Sequence, residues 1–434
     1  MNRICFIIIL CCFSLTGMAQ QTLTLEQCIE IALENNRNIK QQELSRQSRE
    51  IAYNQARADL LPNLNASAGQ SFNFGRSIGM DNTYQNVNSS QMRFGLNSDI
   101  TIFDGLRLKR NIDARRADIF ASQADLEKLQ DDIIISVSSA FLQVLLNKEL
   151  LHIAENQTGS TKENIAQRRK LVEEGRLAPG EIFELEAQLA REEMNRVQAE
   201  SNLKLAMLDL AQIMEMDRFD NFNITAPAVE ELINEGVLLS SAAVFESALV
   251  NRPEIRGAQF RLQSREQELL MSKSQRYPSL SFGASMGTNY FNMSGRENAA
   301  FGSQLRNNMS NSVGLNVRIP IFNRFQVRNN VSNATLAVEN SRIEIDKAKN
   351  ELRKRIEQAY FNAVGAQSRW AASKKSETAS REAFRFVEQK FESGRANSFE
   401  LSLAKTNLAQ VLAEQAQAKY EFAFRIRILE LLKD

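Results

Sequence analysis

Proline and glycine are scarce: six and eighteen of them in 434 residues. That is too little turn-forming material for the surface of an ordinary multidomain enzyme, and it points to long uninterrupted elements. An excess of one charge is also lacking. With 53 basic and 52 acidic side chains interspersed and a net charge of +1, nothing draws the chain towards nucleic acid or an anionic membrane face, so no nucleic-acid partner is expected. Three of the four cysteines, Cys5, Cys11 and Cys12, fall in the first residues. Cys28 is left alone, which rules out an intrachain disulfide and favours a small buried apolar side chain on an amphipathic helix. The single histidine, His152, has no cysteine or second histidine near it, which excludes the usual zinc constellations. The adjacent carboxylates Asp131-Asp132, Glu173-Glu174 and Glu192-Glu193 point to different helix faces and read as solvated charge. Trp370 and Phe384 read as seam or surface aromatics, and Gly287 and Gly314 lie in strands, away from any phosphate-binding turn. No catalytic residue, cofactor or metal site is expected, and the chain is not read as an enzyme.

Beyond the first residues there is no apolar run of the roughly 18 to 20 residues that a membrane-spanning helix needs. Residues 1–19 read as a secretory signal, with Arg3 before the apolar run Ile4 to Phe13 and a Gly17-Met18-Ala19 cleavage site. No cysteine follows that site as a lipid anchor would require. Export without a helical anchor leaves a soluble exported protein or a membrane β-barrel.

The rest of the chain is duplicated. Ala32-Leu33, Asn35 and Ile39 recur as Ala248-Leu249, Asn251 and Ile255, and Leu61-Pro62-Asn63-Leu64 recurs as Tyr277-Pro278-Ser279-Leu280, all 216 positions on. The displacement then becomes 219: Ile102-Phe103-Asp104 matches Ile321-Phe322-Asn323, Gly175-Arg176 matches Gly394-Arg395, and Glu181 falls on Glu400. Each half opens as a helix, with Thr24 placed as the N-cap of the first. Pro62 and Pro278 end those helices, and the pattern moves to a period of two. Met92, Phe94, Leu96, Ile100 and Ile102 lie on one face of a return strand, as do Val313, Leu315, Val317, Ile319 and Ile321 in the second half. Asp104 and Asn323 then introduce long helices whose apolar residues step by seven: Ile112, Ile119, Leu126, Ile133 and Ala140, and Val331, Val338, Ile345, Leu352 and Ala359.

The first repeat therefore covers 20–239, with a hairpin at about 64–103, a long helix at about 105–174, a tip near 175–180, a return helix at about 181–213 and an irregular segment at 214–239. The second covers 240–434, with a hairpin at about 280–322, a long helix at about 324–393, a tip near 394–398 and a return helix at about 399–432. The return helices are about half as long as the long ones. The deficit is made good if 181–213 is continued end to end by the helix at 242–276, and 399–432 by the helix at 24–60.

Four strands with one apolar and one polar face cannot close, since bacterial membrane barrels need at least about eight; copies of the chain must share a barrel, and three would give twelve strands. The fold class is then mainly α with a membrane β-hairpin pair: a duplicated helix-hairpin-long-helix repeat forming a trimeric α-helical barrel continuous with a shared 12-stranded β-barrel. Small residues at Ala114, Ala117, Ala121, Ala124 and Ala140 suit close helix packing in such a cylinder.

The duplicated plan, the Pro-x-Leu elbows Pro62-Asn63-Leu64 and Pro278-Ser279-Leu280, the Ile-Phe-Asp-Gly strand exit and the two glycine-tipped turns resemble the outer-membrane factor family typified by TolC. The resemblance covers essentially the whole chain after the signal. It implies a homotrimer in the outer-membrane lipid with its helical tunnel in the periplasm. Such a tunnel passively conducts solutes for a tripartite efflux or type I secretion system, through a membrane-fusion adaptor and an inner-membrane pump. It further implies that the tips dock the adaptor, through Gly175, Arg176 and Leu177 and through Gly394, Arg395 and Ala396. Glu400 matches a family position that forms a carboxylate ring at the pore constriction, and Glu181 is its counterpart in the first tip; a second acidic ring is absent because that position is Leu403. For both glutamates the alternative is solvated charge favoured by a helix N-terminus. The rival reading of the whole chain is a pore-less coiled-coil scaffold of the periplasm or cell surface.

Overall fold

A computed structural model describes residues 21–78, 82–86, 88–216, 222–225, 239–295 and 297–433. The expected signal at 1–19, and most of the irregular segment at 214–239 with its Pro227, lie outside the described residues. Among the described residues the first half runs β1 (Gln21–Leu23), α1 (Leu25–Asn35), α2 (Arg37–Ala58), β2 (Asn65–Asn73), β3 (Arg76–Ile78), β4 (Tyr84–Asn86), β5 (Ser89–Phe103), α3 (Arg107–Glu173), α4 (Gly180–Ile213) and β6 (Phe222–Ile224). The second runs α5 (Ser241–Asn251), α6 (Pro253–Ser274), β7 (Ser279–Met293), α7 (Phe301–Asn307), β8 (Ser310–Arg318), α8 (Gln326–Glu392) and α9 (Ser398–Lys433). These residues form two compact units: those of Met1–Glu43, Asp125–Ile255 and Ala348–Asp434 in one, and Leu44–Ala124 with Arg256–Lys347 in the other.

In the second unit β2, β5, β7 and β8 make one antiparallel sheet in that order. Its register sorts the side chains. Ala66 faces Leu96, Leu96 faces Met286, Ala68 faces Phe94, Ile100 faces Phe282 and Phe282 faces Leu315, so these apolar residues share one face. Asn65, Asn97 and Ser285 follow one another on the opposite face, as do Ser281 and Asn316. The alternation of period two thus becomes an apolar face and a polar face, and the apolar one is largely exposed, with Val313 at 76% and Leu315 at 67%. At the elbow Asn63 works as a further strand residue: its N–H donates to the Asp99 carbonyl and its Oδ1 accepts from the Asp99 N–H.

Two expectations change here. The second return strand, expected to run to about 322, stops at Arg318. Pro320 lacks the N–H a continuing ladder would need. The long helices begin two residues later than expected, because Gly105 and Leu106, and Arg324 and Phe325, all take positive φ before the first helical turn. Asp104 still serves the start of α3, its carboxylate accepting from the Leu108 N–H at 3.1 Å.

Helices α3 and α8 are each 67 residues long, about 100 Å at about 1.5 Å per residue. Of their seven-residue stripes, Leu126 and Ile133 on α3 and Val338, Ile345, Leu352 and Ala359 on α8 are buried, whereas Ile112, Ile119, Ala140 and Val331 are half-buried and the off-stripe residues Val137, Phe141 and Ile356 are fully buried. Ala114, Ala117, Ala121 and Ala124 are buried as well, on the part of α3 that packs beside α6, where Phe120 meets Phe260 with centroids 5.2 Å apart.

In the first unit the capping box of Thr24 and Gln27 starts α1, and β1 pairs in parallel with β6. Cys28 lies in the core with Ala32, Val137, Phe141 and Leu210. It occupies the place that Val244 takes in the second half, and burial pushes its thiol up to about 12. The opening helices are broken in both halves. Asn36 ends α1 and caps α2, its Oδ1 accepting from the N–H groups of Asn38 and Ile39; Pro253, at the equivalent joint, starts α6 without needing a donor.

The end-to-end stacking is the reverse of the expected one. Glu215, just beyond α4, pairs with Arg37 at the start of α2, at 3.3 Å. Arg252, just before α6, donates to the Leu431 carbonyl near the end of α9 at 2.9 Å. Each return helix therefore meets the opening helix of its own half. The deciding contacts are a charge pair and a buried arginine, which helix lengths alone do not reveal.

Gly105 is confined on two counts: its φ is +69°, and a Cβ there would lie 2.8 Å from the Ser274 carbonyl oxygen. We expect Gly105→Ala to cost about 1–3 kcal/mol, the scale of a strained backbone residue, read as a lower midpoint in denaturant unfolding. An unchanged midpoint would show that the strand exit can relax.

Candidate functional site at the helix tips

Both long helices end in a glycine with positive φ, Gly175 at 71° and Gly394 at 72°. In each case the next N–H reaches back five residues, Arg176 to the Leu171 carbonyl and Arg395 to the Lys390 carbonyl. That pattern satisfies carbonyls that a helix end would leave without donors, and it reverses the chain in a few residues. Glu181 lies in the first turn of α4. Asn397 caps α9 by accepting from the Glu400 N–H at 2.8 Å.

The two tips are electrostatically unlike. Glu181 pairs with Arg168 at 3.3 Å, and the same guanidinium stands 3.9 Å over the Phe391 ring at the end of α8. Arg168 thus ties α4 and α8 to α3. Arg169 pairs with Glu186 and Arg176 with Glu174. The Glu400 carboxylate is exposed and has no ion pair among the described residues. A cleft of about 880 Å³ lies here, lined among others by Leu177, Glu181, Gly394, Arg395, Ala396 and Glu400. Six of the eight residues singled out from the sequence therefore converge on one cavity. Gly175 and Arg176 do not line it; they form the turn beside it.

Lys405 also lines this cleft, a polar group that the family resemblance does not single out. Lys405 is buried and donates to the Gln157 carbonyl at 2.7 Å and to Thr161 Oγ1 at 2.5 Å. Its ammonium lies 3.9 Å from Glu192 Oε1, and the Glu192 side chain is 4% exposed. Burial pushes the Lys405 pKa below the ordinary lysine value, with the Glu192 carboxylate pulling partly the other way. A signal for this was present: Lys405 follows Leu401 by one helical turn on the buried stripe of α9, and Glu192 follows Leu185 by two turns on that of α4.

Two of the three adjacent carboxylate pairs also need correcting. Glu192 is buried, and Asp131 pairs at 3.0 Å with Arg252, itself 2% exposed. Desolvation raises the Asp131 pKa, with Arg252 opposing it. Adjacent carboxylates do point to different faces; for Glu192 that face is the interior, and for Asp131 it is a half-buried one beside Arg252. His152 sits on the exposed side of α3 with its Nε2 3.0 Å from Asn156 Nδ2. Trp370 stacks on Phe422 at 5.4 Å as a seam residue, and Phe384 lines the tip cleft.

The family model described as Outer membrane efflux protein matches residues 28–214 and 244–425 of this chain. Toxin and drug export protein A of Aggregatibacter actinomycetemcomitans is 22% identical over 404 residues, covering 91% of this chain and 83% of that protein. Protein CyaE of Bordetella pertussis is 24% identical over 419 residues, covering 94% and 83%. The fold is also that of the Campylobacter jejuni CmeC outer membrane channel, with a TM-score of 0.78 at 16% identity over 94% of this chain and 85% of that one. The open state of the Neisseria gonorrhoeae MtrE outer membrane channel gives 0.76 at 20% identity, over 94% and 88%.

A lysine whose pKa is lower in the folded state sheds its proton earlier than in the unfolded chain. Between the folded value and the unfolded value of about 10.4 the unfolded state holds more protons, so stability rises with pH across that window. We expect denaturant unfolding followed from neutral to alkaline pH to show this increment in the wild type and to lack it in Lys405→Met.

Proposed function

Because the chain belongs to the outer membrane efflux protein family, we propose that this outer-membrane channel protein acts as a homotrimeric tunnel subunit of a tripartite efflux or type I secretion system. It passively conducts what an inner-membrane pump delivers through a periplasmic adaptor. One observation supports a barrel shared between copies: the four-stranded sheet ends on β2 and β8, two edges of nine residues each. Backbone groups on such edges cannot be left unpaired in lipid, where water is absent. Pairing β8 of one copy with β2 of the next satisfies both, and three copies give a barrel of twelve strands, within the range that leaves a lumen. The exposed apolar face then meets lipid and the polar face lines water. A pore-less scaffold has no use for such a sheet.

The tips are the adaptor-docking end in this reading, through Gly175, Arg176 and Leu177 and through Gly394, Arg395 and Ala396. Glu400 is the pore-constriction residue. Its carboxylate is free to join its symmetry mates, whereas that of Glu181 is engaged by Arg168. Glu181 therefore holds a hairpin together and Glu400 faces the aperture. The relatives and the family are channel proteins, and passive conduction asks no catalysis of the chain.

Purified protein is expected to require detergent, to run as a trimer by native mass spectrometry and to pass ions across a planar bilayer. A detergent-independent monomer without conductance would overturn the reading. Leu315→Arg places a charge on the apolar face, at a cost of about 2–4 kcal/mol near the bilayer midplane, and should lower the outer-membrane fraction on membrane fractionation. Asn316→Arg, on the opposite face, should leave that fraction unchanged.

A further inference from the structure

The strands β2, β5, β7 and β8 carry three charged side chains between them, Arg93, Asp99 and Arg318. All three stand on the polar face of the sheet. The register sets Arg93 across from Gly69 and Asn289, Asp99 across from Gly283, and Arg318 across from Ser279. Asp99 and Arg318 lie towards the elbows and cancel in sum, which leaves one positive charge per copy. Arg93 lies six residues from Asp99 along β5, about 20 Å at about 3.4 Å per residue. That is more than twice the Debye length of about 8 Å at physiological ionic strength, so the Asp99 carboxylate does not neutralise it. The immediate surroundings do not neutralise it either. Arg93 is exposed and has no ion pair among the described residues; its Nη2 donates to the neutral Oε1 of Gln91 at 3.1 Å. Gly69 across the strand pair and Gly95 along the strand share its face without a side chain, and a Cβ at Gly69 would meet nothing within 4 Å. The guanidinium therefore stands clear of its neighbours. Among the described residues that link the strands the charges are Arg76, Glu297 and Arg306, all beyond the sheet.

We propose that Arg93 sets the charge preference of the barrel: the copies of the chain place their Arg93 guanidinium groups at one level of the lumen, where they attract anionic solutes and repel cationic ones. The inference rests on the shared barrel of the conduit reading and adds the class of solute that this segment favours. Symmetry makes every copy contribute the same side chain at the same height, and rings of arginine or lysine are a recurrent means of favouring anions in pores. The preference belongs to the barrel wall. Charges elsewhere along the conduit, Glu400 among them, add their own contribution to the selectivity of the whole, so the barrel's share is read as a difference between variants.

Reversal potentials of the full-length assembled protein in a planar bilayer, measured across a potassium chloride gradient, test this. Arg93→Gln removes the charge and should shift the reversal potential towards the potassium equilibrium potential. Arg93→Lys keeps the charge and changes the bond to Gln91, so it should stay near the wild-type value. Asn289→Asp sets a carboxylate across the strand pair from an intact Arg93 and should shift the potential in the same direction as Arg93→Gln. Both shifts should be clear at about 0.1 M salt, where the Debye length is about 10 Å, and fade at about 1 M, where it is about 3 Å. A shift that Arg93→Lys shares with Arg93→Gln, or one that salt leaves unchanged, marks a structural role and overturns the inference. So does a reversal potential that neither Arg93→Gln nor Asn289→Asp moves. Should Arg93→Gln fail to assemble, Asn289→Asp decides by the same criterion. These failures leave the conduit reading standing; absence of current from the wild-type protein overturns that reading and the inference with it.

Discussion

The obligation to satisfy every backbone hydrogen bond in lipid governs this molecule. Four strands with an exposed apolar face and two open edges are untenable alone, either in water or in a membrane. In the assembly proposed above, closure by further copies removes both problems at once. The duplication serves the same end, since each half supplies one hairpin and the two hairpins join through β5 and β7. A symmetric assembly then needs only one kind of seam, between β8 and β2.

Duplication fixed the plan, and divergence gave each half its own means of holding it. At the helix joint one half uses the Asn36 amide and the other uses Pro253 behind a buried Arg252. At the strand exit one half uses Gly105, pressed against the Ser274 carbonyl, and the other an arginine in the same left-handed region. At the tip one glutamate is held by an arginine and its counterpart is free. The tips share a backbone turn because helix ends everywhere face the same unsatisfied carbonyls.

Buried charge collects where helices from distant parts of the sequence meet. Arg252 gathers Asp131, Glu254 and the Leu431 carbonyl, and Lys405 gathers Gln157, Thr161 and Glu192. Such clusters add little net stability compared with apolar packing of the same volume, and they specify register, because an ammonium or guanidinium is satisfied in few positions. Along helices whose apolar stripes repeat every seven residues, a slip by one heptad costs the packing little. A buried charge makes that slip expensive.

Periodicity determined a great deal: the two halves, the hairpins, the stepping stripes of α3 and α8, the glycine turns and the equivalence of Glu181 with Glu400, whereas their place on one cleft came from the packed helices. These are local or repeating features, and a chain that must bury one stripe of a helix or one face of a strand displays them in its spacing. Which opening helix continues which return helix was decided only by Arg37 with Glu215 and Arg252 with Leu431. The burial of Glu192 and Lys405 likewise depends on three helices meeting, although their positions on apolar stripes hinted at it. Spacing records which face of an element turns inward; what waits there is set by residues hundreds of positions away, and only the packed structure brings them together.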